Sequence, residues 1–487
     1  MPRGWRADNP PVTSDGPNKP LHVVLLNQPF FPDVVSTAQI AKDLADALVR
    51  RGHKVTAVAS RSVYGQAGAA LPRREEVPVR HADGGLAGHI SVRRVGLSVF
   101  GKKGIAARLA DFLFFYLLAT LRVLTLPRPD IVVGFTTPPF IACVGVLARW
   151  LRGSKSVYWV MDLYPDVAIE CGVMKPGSLT ARFFERLSRW LLKKSSAVVV
   201  LGRCMRERVL AKGIAPDKVA WIPVWADLSG ISPVAHEANP YRAKFAPGGE
   251  FVVMYSGNLG IGHDAQTMID AMKLLKDDAT IRFVFVGGGK RRREVEEAAA
   301  REKLTNFAWF EYQPREALGQ SLSAADVHLI SLRRGLEGIM VPSKLFGVMA
   351  AGRASIYIGE PSSEIWRVLG EAGAGVMTKE GDGPALARTI VELRDELARR
   401  RAMGEAARLG IEGKFDAATS CRAWITLLER LGRGAPIEPD GLGRITPAGA
   451  NPGEKGSSDR RQASSQTQVS SGNTPGHGEN TLARTRA

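Results

Sequence analysis

The stretch LHVVLLNQPFFPDVVSTAQIAKDLADALVRRGHKVTAVAS, residues 21–60, decides the fold class. The apolar run LHVVLLN and the turn QPFFPD precede TAQIAKDLADALVRRGH, in which apolar residues recur at helical spacing until Gly52. A second apolar run, KVTAVAS, completes a strand–helix–strand unit. Two strands that are joined through a helix lie parallel in one sheet. The stretch therefore predicts an α/β fold with a parallel sheet.

The alternation of strand and helix patterns continues along most of the chain in two series. They predict one domain at 21–228 and a second at 229–433, while 1–20 and 434–487 have the composition of disordered segments. The stretch 61–105 shows no clear order of elements. We expect two Rossmann-like, doubly wound domains that face a cleft, with ligands beyond the carboxyl ends of the strands.

The composition favours anionic partners. The chain of 487 residues has 45% hydrophobic residues and a formal net charge of +18, which suits phosphorylated substrates, an anionic membrane surface or nucleic acid. Basic and aromatic residues do not interleave and no recognition module is evident, so we expect no nucleic acid. The four cysteines are scattered without metal-ligand spacing, which predicts a reducing compartment and no metal site.

The segment FLFFYLLATL, residues 112–121, is the most membrane-like part of the sequence. It is too short to span a bilayer, and the first 20 residues do not form a secretory signal. One interpretation is a buried helix. The other is a helix that lies on an anionic membrane surface, which the basic residues Lys102, Lys103, Arg108 and Arg122 favour.

Two glycine-rich turns follow predicted strands in the second series. Gly257, Asn258 and Gly260 lie in the first turn, and glycines let the backbone approach a phosphate closely. The second turn, GGG at 287–289, precedes four cations at 290–293, of which we select Arg293 as a phosphate ligand. The alternatives are a simple tight turn and a solvated helix start.

The stretch RRGLEGIMVPSKLFGVMAAGR, residues 333–353, follows the fourth strand of the second series. Ser343 is expected to cap a helix whose first-turn amides, together with Lys344, form an anion site. Glu337 lies just before it on a loop bounded by glycines, which we interpret as flexible. A carboxylate beside an anion site is a candidate catalytic residue, although a solvated surface glutamate has the same local sequence.

In the first series, no GxGxxG motif follows a strand, so a dinucleotide fingerprint is absent. Asp162 ends the predicted strand at 156–160, where a carboxylate is costly unless it is paired or faces a cleft. We include Asp162 as a second candidate catalytic residue.

These motifs together resemble the family 4 retaining glycosyltransferases of the GT-B fold, in the branch that builds bacterial exopolysaccharide, capsule and O-antigen. The likeness rests on GNLG at 257–260, FVFVGGG at 283–289, AADVHLISL at 324–332, the EG…PSK…MAAG segment and VMDLYPD at 160–166. The resemblance implies that the second domain binds a nucleotide-sugar donor and the first an acceptor, with neither metal nor added cofactor. It also implies a lipid-linked or saccharide acceptor and a cytoplasmic protein, peripheral at the inner membrane face.

The sequence departs from that family's pattern at three places. Gly347 stands where the second of two glutamates is usual, and His263 and Asp264 stand where an arginine and a lysine follow the first glycine turn. Met161 stands where a histidine often precedes Asp162. By the resemblance, Glu337 and Lys344 carry over, and Asp162 carries over more weakly.

Two other functions stay open from the sequence. The non-hydrolysing nucleotide-sugar 2-epimerases resemble the same two-domain fold, and His263 is the one histidine placed to serve such a reaction. A non-catalytic GT-B scaffold is the other, since the second glutamate is missing. Binding of nucleotides separates the scaffold from both enzymes.

Overall fold

The computed structural model describes residues 19–33, 35–63, 70–96 and 105–438, without the side chains of 105–109. Apart from 19–20 and 434–438, the two predicted disordered segments lie outside the described residues, as do Lys102 and Lys103.

The first sheet has eight strands within the described residues, in the order β3-β4-β2-β1-β5-β6-β7-β8. All neighbouring strands are parallel except β3 and β4, which form an antiparallel hairpin. The strands are β1 His22–Leu26, β2 Lys54–Ser60, β3 Arg74–Arg80, β4 Leu86–Val95, β5 Ile131–Gly134, β6 Lys155–Val160, β7 Ala197–Val200 and β8 Val219–Trp221.

The second sheet has six strands within the described residues, all parallel, in the order β11-β10-β9-β12-β13-β14. Its central strands are mostly apolar and are buried at every position except the last residue of β9, as expected for a sheet that is covered on both faces. The strands are β9 Phe251–Ser256, β10 Ile281–Val286, β11 Phe307–Phe310, β12 Val327–Ser331, β13 Ala354–Ile358 and β14 Gly375–Thr378.

Helices connect the strands of both sheets. Those of the first domain are α1 Ser36–Arg50, α2 Ile105–Thr125, α3 Cys143–Arg152, α4 Asp166–Glu170, α5 Leu179–Lys194 and α6 Arg203–Ala211. Those that follow are α7 Pro240–Phe245, α8 Gln266–Leu274, α9 Arg292–Arg301, α10 Leu318–Ser323, α11 Lys344–Ala350, α12 Glu364–Ala372, α13 Gly383–Asp395, α14 Leu397–Ile411 and α15 Ala417–Gly432. Short 3-10 helices occupy Pro216–Lys218, His236–Ala238 and Arg315–Ala317.

The predicted fold class is confirmed, because two doubly wound parallel sheets follow one another along the chain. The β3–β4 hairpin is the element that the sequence did not reveal. Its strands are short of apolar residues and alternate between buried and exposed positions at the edge of the sheet, so they lack the continuous apolar runs of the inner strands.

The last helix, α15, returns to the first domain. Its Trp424 is fully buried and lies against Trp159 of β6 with ring centroids 4.3 Å apart, and it belongs to the same core. The predicted domain boundaries stay predictions, but this contact joins the end of the second series to the first sheet.

Helix α2 has one side in the core and one apolar side exposed, so the buried interpretation of the segment 112–121 holds for one side, and the membrane-surface interpretation stays a prediction. Phe115, Ala119 and Val123 are buried in the core against β1 and β5. Leu113, Phe114, Leu117 and Leu121 are exposed on the opposite side of the helix. Within the described residues, no helix has both the length and the apolar character that crossing a membrane requires.

Candidate active site

The two predicted glycine turns pack against each other at the carboxyl ends of β9 and β10. The amide of Gly257 donates to the carbonyl oxygen of Val286 at 2.8 Å, and the amide of Leu259 donates to that of Gly288 at 2.7 Å. A Cβ on Gly287 would lie only 2.6 Å from the carbonyl oxygen of Gly257, and φ is +126° at Gly287. Glycine is therefore required for this contact, and the two turns form one surface.

Several amides of the first turn point away from this contact. Those of Asn258, Gly260 and Ile261 form no backbone hydrogen bond within the described residues, and the side chain of Asn258 is exposed. Partly open backbone amides that have no protein acceptor suit a phosphate oxygen.

Lys344 reaches this surface from α11. Its Nζ donates to the hydroxyl of Tyr255 and lies 3.7 Å from the centroid of the Tyr255 ring. A Cβ on Gly257 would lie 3.9 Å from the same Nζ. No carboxylate of the described residues pairs with Lys344, and burial lowers the pKa of its ammonium well below the usual value. The structure thus brings Lys344 to the Gly257 turn, as a cation without a protein counter-ion.

The prediction that Ser343 caps α11 is wrong. The Oγ of Ser343 accepts a hydrogen bond from the Oγ of Ser36 in the first domain at 3.0 Å, and it makes no cap bond. The amides of Leu345 and Phe346 are already bonded to the carbonyl oxygens of Pro342 and Ser343. The predicted anion site at the first turn of α11 therefore loses two of its donors, and Lys344 is its main remaining group.

His263 and Asp264 have structural partners. Asp264 accepts the amides of Gln266 and Thr267, at 3.0 and 3.4 Å, and so caps α8. The ring Nδ1 of His263 lies 2.6 Å from the carbonyl oxygen of Ser331, and burial lowers the pKa of His263 to about 3. Because such an imidazole stays neutral at physiological pH, it does not suit the acid–base step of an epimerase.

Glu337 lies in a loop that is wedged between the domains. One carboxylate oxygen accepts the amide of Gly335 at 3.0 Å, and the other is buried without a partner. A guanidinium nitrogen of Arg208 in α6 donates to the carbonyl oxygen of Gly335 at 3.2 Å. A Cβ on Gly338 would lie 2.6 Å from the carbonyl oxygen of Cys204, which is also in α6. The glycines serve close packing, so the interpretation of this loop as flexible is wrong.

Asp162 meets the same loop from the first domain. It forms an antiparallel bridge with Met340, and the amide of Leu163 donates to the carbonyl oxygen of Ile339 at 2.8 Å. Burial raises the pKa of the Asp162 carboxyl to about 6, and no side-chain partner is found for it within the described residues. The structure thus joins Asp162 to the segment that carries Glu337, three residues before Met340.

Two cations near these carboxylates were not selected from the sequence. Burial raises the pKa of the Cys171 thiol; Arg333 and Lys290 oppose that shift, while Asp162 and Glu170 add to it, so all four charges lie around this thiol. Arg333 also donates to the carbonyl oxygen of Ile261 in the first glycine turn at 3.4 Å. The position of Arg333 just after β12, at the carboxyl end of a strand, is the sequence feature that could have identified it as a site residue.

Arg293, the cation that was selected, lies apart from the glycine turns. Its side chain is 87% exposed on α9, and its Nε donates to Glu297 at 2.5 Å. Pairing one helical turn away is the ordinary role of a solvated helix residue. Lys290 and Arg291 of the same run lie closer to the site, and Arg291 donates to the carbonyl oxygen of His263.

An aromatic ring also lies at the second glycine turn. The Tyr312 ring is largely exposed, and Cβ atoms on Gly287 and Gly288 would lie 3.0 and 3.4 Å from its edge atoms. Tyr312 follows β11 in an otherwise polar loop, so no sequence pattern predicted its place at this turn.

Gly347 has room for a Cβ atom. A Cβ there would meet only side-chain atoms, at 3.5 Å from Leu322 and 4.0 Å from Ile231. Close backbone packing at the Cα therefore does not require glycine at this position. Among the residues that the structure describes, no three His, Cys, Asp or Glu side chains are grouped as metal ligands would be.

Two family models match the chain over most of its length. Residues 37–225 match the glycosyl transferase 4-like domain, and residues 239–410 match glycosyl transferases group 1. The first match covers the first sheet apart from β1, and the second match covers all six strands of the second sheet.

Individual proteins show the same likeness. A protein of Pseudomonas aeruginosa named as the glycosyltransferase WbjE is 30% identical over 55% of this chain and 66% of its own length. The Escherichia coli (strain K12) protein WcaI, named as a colanic acid biosynthesis glycosyl transferase, is 25% identical over 69% of this chain and 83% of its own. Among solved structures, sucrose-phosphate synthase from Thermosynechococcus elongatus has a TM-score of 0.68 at 16% identity, over 85% of this chain and 100% of that one.

Proposed function

Because the chain belongs to the family 4 glycosyltransferases with the GT-B fold, we propose that it moves a sugar, with retention, from a nucleotide-diphosphate sugar to a lipid-linked glycan. The product is an intermediate of a cell-surface polysaccharide. One observation carries the proposal: Lys344, which is buried and pairs with no carboxylate of the described residues, lies at a glycine turn in which the amides of Asn258, Gly260 and Ile261 form no backbone hydrogen bond. A diphosphate supplies both the charge and the oxygens that this surface lacks.

The proposed reaction breaks the bond between the anomeric carbon of the donor and a phosphate oxygen, which keeps the electron pair. Lys344 and the open amides of the Gly257 turn stabilise the negative charge of the departing diphosphate. Lys290 and Arg333 stand in for the cations that the family has after this turn. No metal and no cofactor besides the donor take part in this scheme.

The acceptor oxygen bonds to the anomeric carbon on the face that the diphosphate leaves. Asp162 takes the proton of the acceptor hydroxyl, for which a carboxylate with a pKa of about 6 is suited. Glu337, with one buried oxygen that has no partner, orients the hydroxyls of the donor sugar or stabilises the positive charge on its ring.

The base of the nucleotide stacks on Tyr312 in this proposal. The Tyr312 ring is exposed and lies at the glycine turn 287–289, which packs against the Gly257 turn near Lys344. Stacking on an aromatic ring accommodates any base, so this contact does not choose between UDP-, GDP- and dTDP-sugars.

The test is a donor screen on the full chain. UDP-, GDP- and dTDP-sugars are added in turn, and one class is expected to raise the melting temperature. Transfer from that donor to a lipid-linked acceptor is then followed by NMR of the anomeric proton, which should show the donor's own configuration. If no nucleotide sugar binds, or if the product is inverted, the proposal is wrong.

Glu337→Gln provides the matched variant for the chemical step. The side chain keeps its size and still accepts a hydrogen bond from Gly335, so donor binding is expected to change less than about threefold. The transfer rate is expected to fall about 100-fold, which is the scale of a lost electrostatic contact in the transition state. An equal loss of binding and rate would indicate a structural role for Glu337.

The proposed location is the cytoplasmic face of the inner membrane, with an anionic membrane surface as partner. The apolar face of α2, formed by Leu113, Phe114, Leu117 and Leu121, is exposed. Beside it, Trp150 and Leu151 at the end of α3 are exposed as well. Arginines at 122, 128, 149 and 152 surround the junction of the two helices. An apolar face with basic neighbours suits anionic lipid.

Flotation with vesicles of phosphatidylglycerol and phosphatidylethanolamine tests this surface. Leu113→Ser combined with Leu117→Ser should release the protein without unfolding it. Leu409→Ser combined with Leu274→Ser is the control, because these leucines are 71% and 57% exposed, against 71% and 58% for the first pair. Equal release by both pairs would exclude α2 as the membrane contact. Phe115 is buried and is unsuitable for this test.

A further inference from the structure

A groove on the first domain lies outside the donor site just described. It has a volume of about 470 Å³ and is open to solvent between α4, α5 and α6. This volume is within the range of small-ligand sites. Its charged lining residues are Arg182, Arg189, Arg208, Lys212, Asp166 and Glu185.

The two acidic residues of the groove are already paired. The ammonium of Lys212 contacts Asp166 at 2.8 Å and Glu185 at 2.7 Å, and Arg189 contacts Glu185 at 2.6 Å. Burial acts to raise the pKa of Glu185, but the hydrogen bonds from Lys212 and Arg189 outweigh it and leave the pKa lowered. Glu185 therefore stays ionised and committed to these cations.

Arg182 and Arg208 are left without a carboxylate. Arg182 is exposed and forms no ion pair within the described residues, and Arg208 donates only to the carbonyl oxygen of Gly335 at 3.2 Å. Two guanidinium groups in one groove match the oxygens of a diphosphate, since each offers a planar pair of donors.

Exposed apolar side chains lie next in sequence to residues that line the groove. Leu179, between the lining residues Gly177 and Ala181, is 84% exposed. Phe183, which follows the lining residue Arg182, is exposed as well. A free inorganic ion would gain nothing from these apolar side chains, whereas the first isoprene units of a lipid would bury them.

The groove also lies within reach of the candidate catalytic residues. Asp166 on its wall follows Asp162 by four residues, so their Cα atoms are at most about 14 Å apart. Arg208 contacts the loop that carries Glu337. A headgroup whose diphosphate lies in the groove can therefore extend its sugar toward Asp162.

We propose that this groove binds the diphosphate of a polyprenyl-diphosphate-linked sugar, with the lipid over Leu179 and Phe183 and the sugar directed to Asp162. The assignment rests on the proposed function for the role of the bound molecule as acceptor. The binding itself is testable without any transfer reaction.

Calorimetric titration of the full chain with farnesyl diphosphate, below its micelle concentration and without vesicles, is the direct test. Arg182→Gln should weaken binding about 10-fold, the usual scale for one lost charged contact. Arg186→Gln is the matched control, since it lies on the exposed side of the same helix and does not line the groove; it should change binding less than about twofold. Equal losses in both variants would overturn the proposal.

Two further arms identify the source and the site. Inorganic diphosphate should bind at least about 10-fold more weakly than farnesyl diphosphate, and Leu179→Ser should reduce that preference. Equal binding of the two ligands would overturn the assignment to a lipid. Farnesyl diphosphate should also bind Lys344→Ala unchanged and resist displacement by nucleotide; displacement would place it in the donor site and overturn the proposal.

The outcomes separate this proposal from the proposed function. If a nucleotide sugar is transferred but Arg182→Gln leaves the acceptor KM unchanged, the groove assignment alone is wrong. If farnesyl diphosphate binds through Arg182 but no nucleotide sugar binds, the transfer function is wrong and the groove assignment stands.

Discussion

Each domain offers backbone amides to an anion at the carboxyl end of a strand, and the two domains use them in opposite ways. In the first domain, α6 begins just after β7, and a carboxylate of the second domain fills its amino end. Glu364, which is buried, accepts the amides of Arg203 and Cys204 at 2.7 and 3.2 Å and the Nε of Arg203 at 2.9 Å. A Cβ on Gly202 would lie 2.8 Å from this side chain, so glycine permits the approach.

In the second domain, the described residues supply no corresponding anion. Among these residues, the amides of Asn258, Gly260 and Ile261 in the Gly257 turn form no backbone hydrogen bond, and Lys344 pairs with no carboxylate. Buried polar groups usually have hydrogen-bond partners, and groups left without one often face a ligand. The α6 site thus joins the two domains, and the difference supports the proposal that the Gly257 site binds the donor.

Among the variants that test this difference between the two sites, Lys344→Met should have the largest effect. Methionine keeps the length of the side chain and removes the charge, so donor affinity should fall by about 100-fold. The unliganded protein should not lose stability, because a buried ammonium without a carboxylate partner is costly. Isothermal titration with the donor and denaturant unfolding of the free protein measure the two effects.

The stability difference between Lys344→Met and the wild type depends on pH because the pKa of Lys344 is lowered in the folded state. The unfolded state takes up the proton more readily than the folded state, so the wild type loses stability as pH falls below about 10.4, the unperturbed lysine value. The stability advantage of Lys344→Met should thus be larger at pH 7 than at pH 10. Arg293→Gln, which removes an exposed cation of the neighbouring basic run, is the control and should leave donor affinity unchanged. A Lys344→Met protein that is less stable and binds donor normally would remove the distinction between the two sites.

Glu364→Ala should have the second largest effect. It should lower the unfolding free energy and leave donor binding unchanged. The substitution leaves the amides of Arg203 and Cys204 without their acceptor and removes one of the two carboxylates that pair with the Arg203 guanidinium, which costs about 2 to 3 kcal/mol of unfolding free energy. Glu371→Ala is the matched control, because Glu371 pairs with the same Arg203 at 2.5 Å but is mostly exposed. An exposed pair contributes about 0 to 1 kcal/mol. If both variants lose the same free energy, Glu364 is not the group that saturates α6.

Local sequence was sufficient for one of these sites and not for the other. The glycine turns, the position of Lys344 at the start of a helix and the inner strands of the two sheets follow from patterns that extend over fewer than ten residues, whereas the binding role of these residues stays a prediction. Glu364 and α6 are 160 residues apart, and no short pattern joins them. The same holds for Arg333, whose contact with Ile261 depends on how β12 lies beside β9.

The errors at the site have a similar cause. Ser343 has the residue type and position of a helix cap, but the approach of Ser36 from the first domain gives its hydroxyl another partner. Arg293 belongs to a basic run after a glycine turn, but the phase of α9 turns its side chain to solvent and to Glu297. In each case a contact or a helical phase, set by tertiary structure, decided between two roles that the sequence allowed equally.

Asp162→Asn should have the smallest effect on stability of the three variants. It compares two carboxylates, Glu364 at the start of α6 and Asp162 in the first domain. The Glu364 side chain accepts hydrogen bonds from three donors, whereas no side-chain partner is found for Asp162 within the described residues, and burial raises the pKa of Asp162 to about 6. The folded state holds the proton of Asp162 more tightly than the unfolded state, because the pKa is about 6 in the folded state and 3.8 for an ordinary aspartate. Ionisation of Asp162 therefore lowers the unfolding free energy as pH rises from 3.8 to about 6, and this loss is complete above about pH 6. Asparagine resembles the protonated form, so the variant should be more stable at pH 8 by roughly 1 to 2 kcal/mol. This advantage should fall by roughly half at pH 5.

Activity should move the other way, because the proposed reaction needs the ionised carboxylate of Asp162. The wild-type kcat/KM should decline as pH falls below about 6, and Asp162→Asn should be slow at every pH without that decline. Denaturant unfolding at pH 8 and pH 5, with a pH–rate profile of both proteins, measures the two predictions together. A variant that is less stable at pH 8 would mean that Asp162 has donors in the folded protein, as Glu364 does. The contrast between a carboxylate that joins the domains and one that is held ready for the acceptor would then disappear.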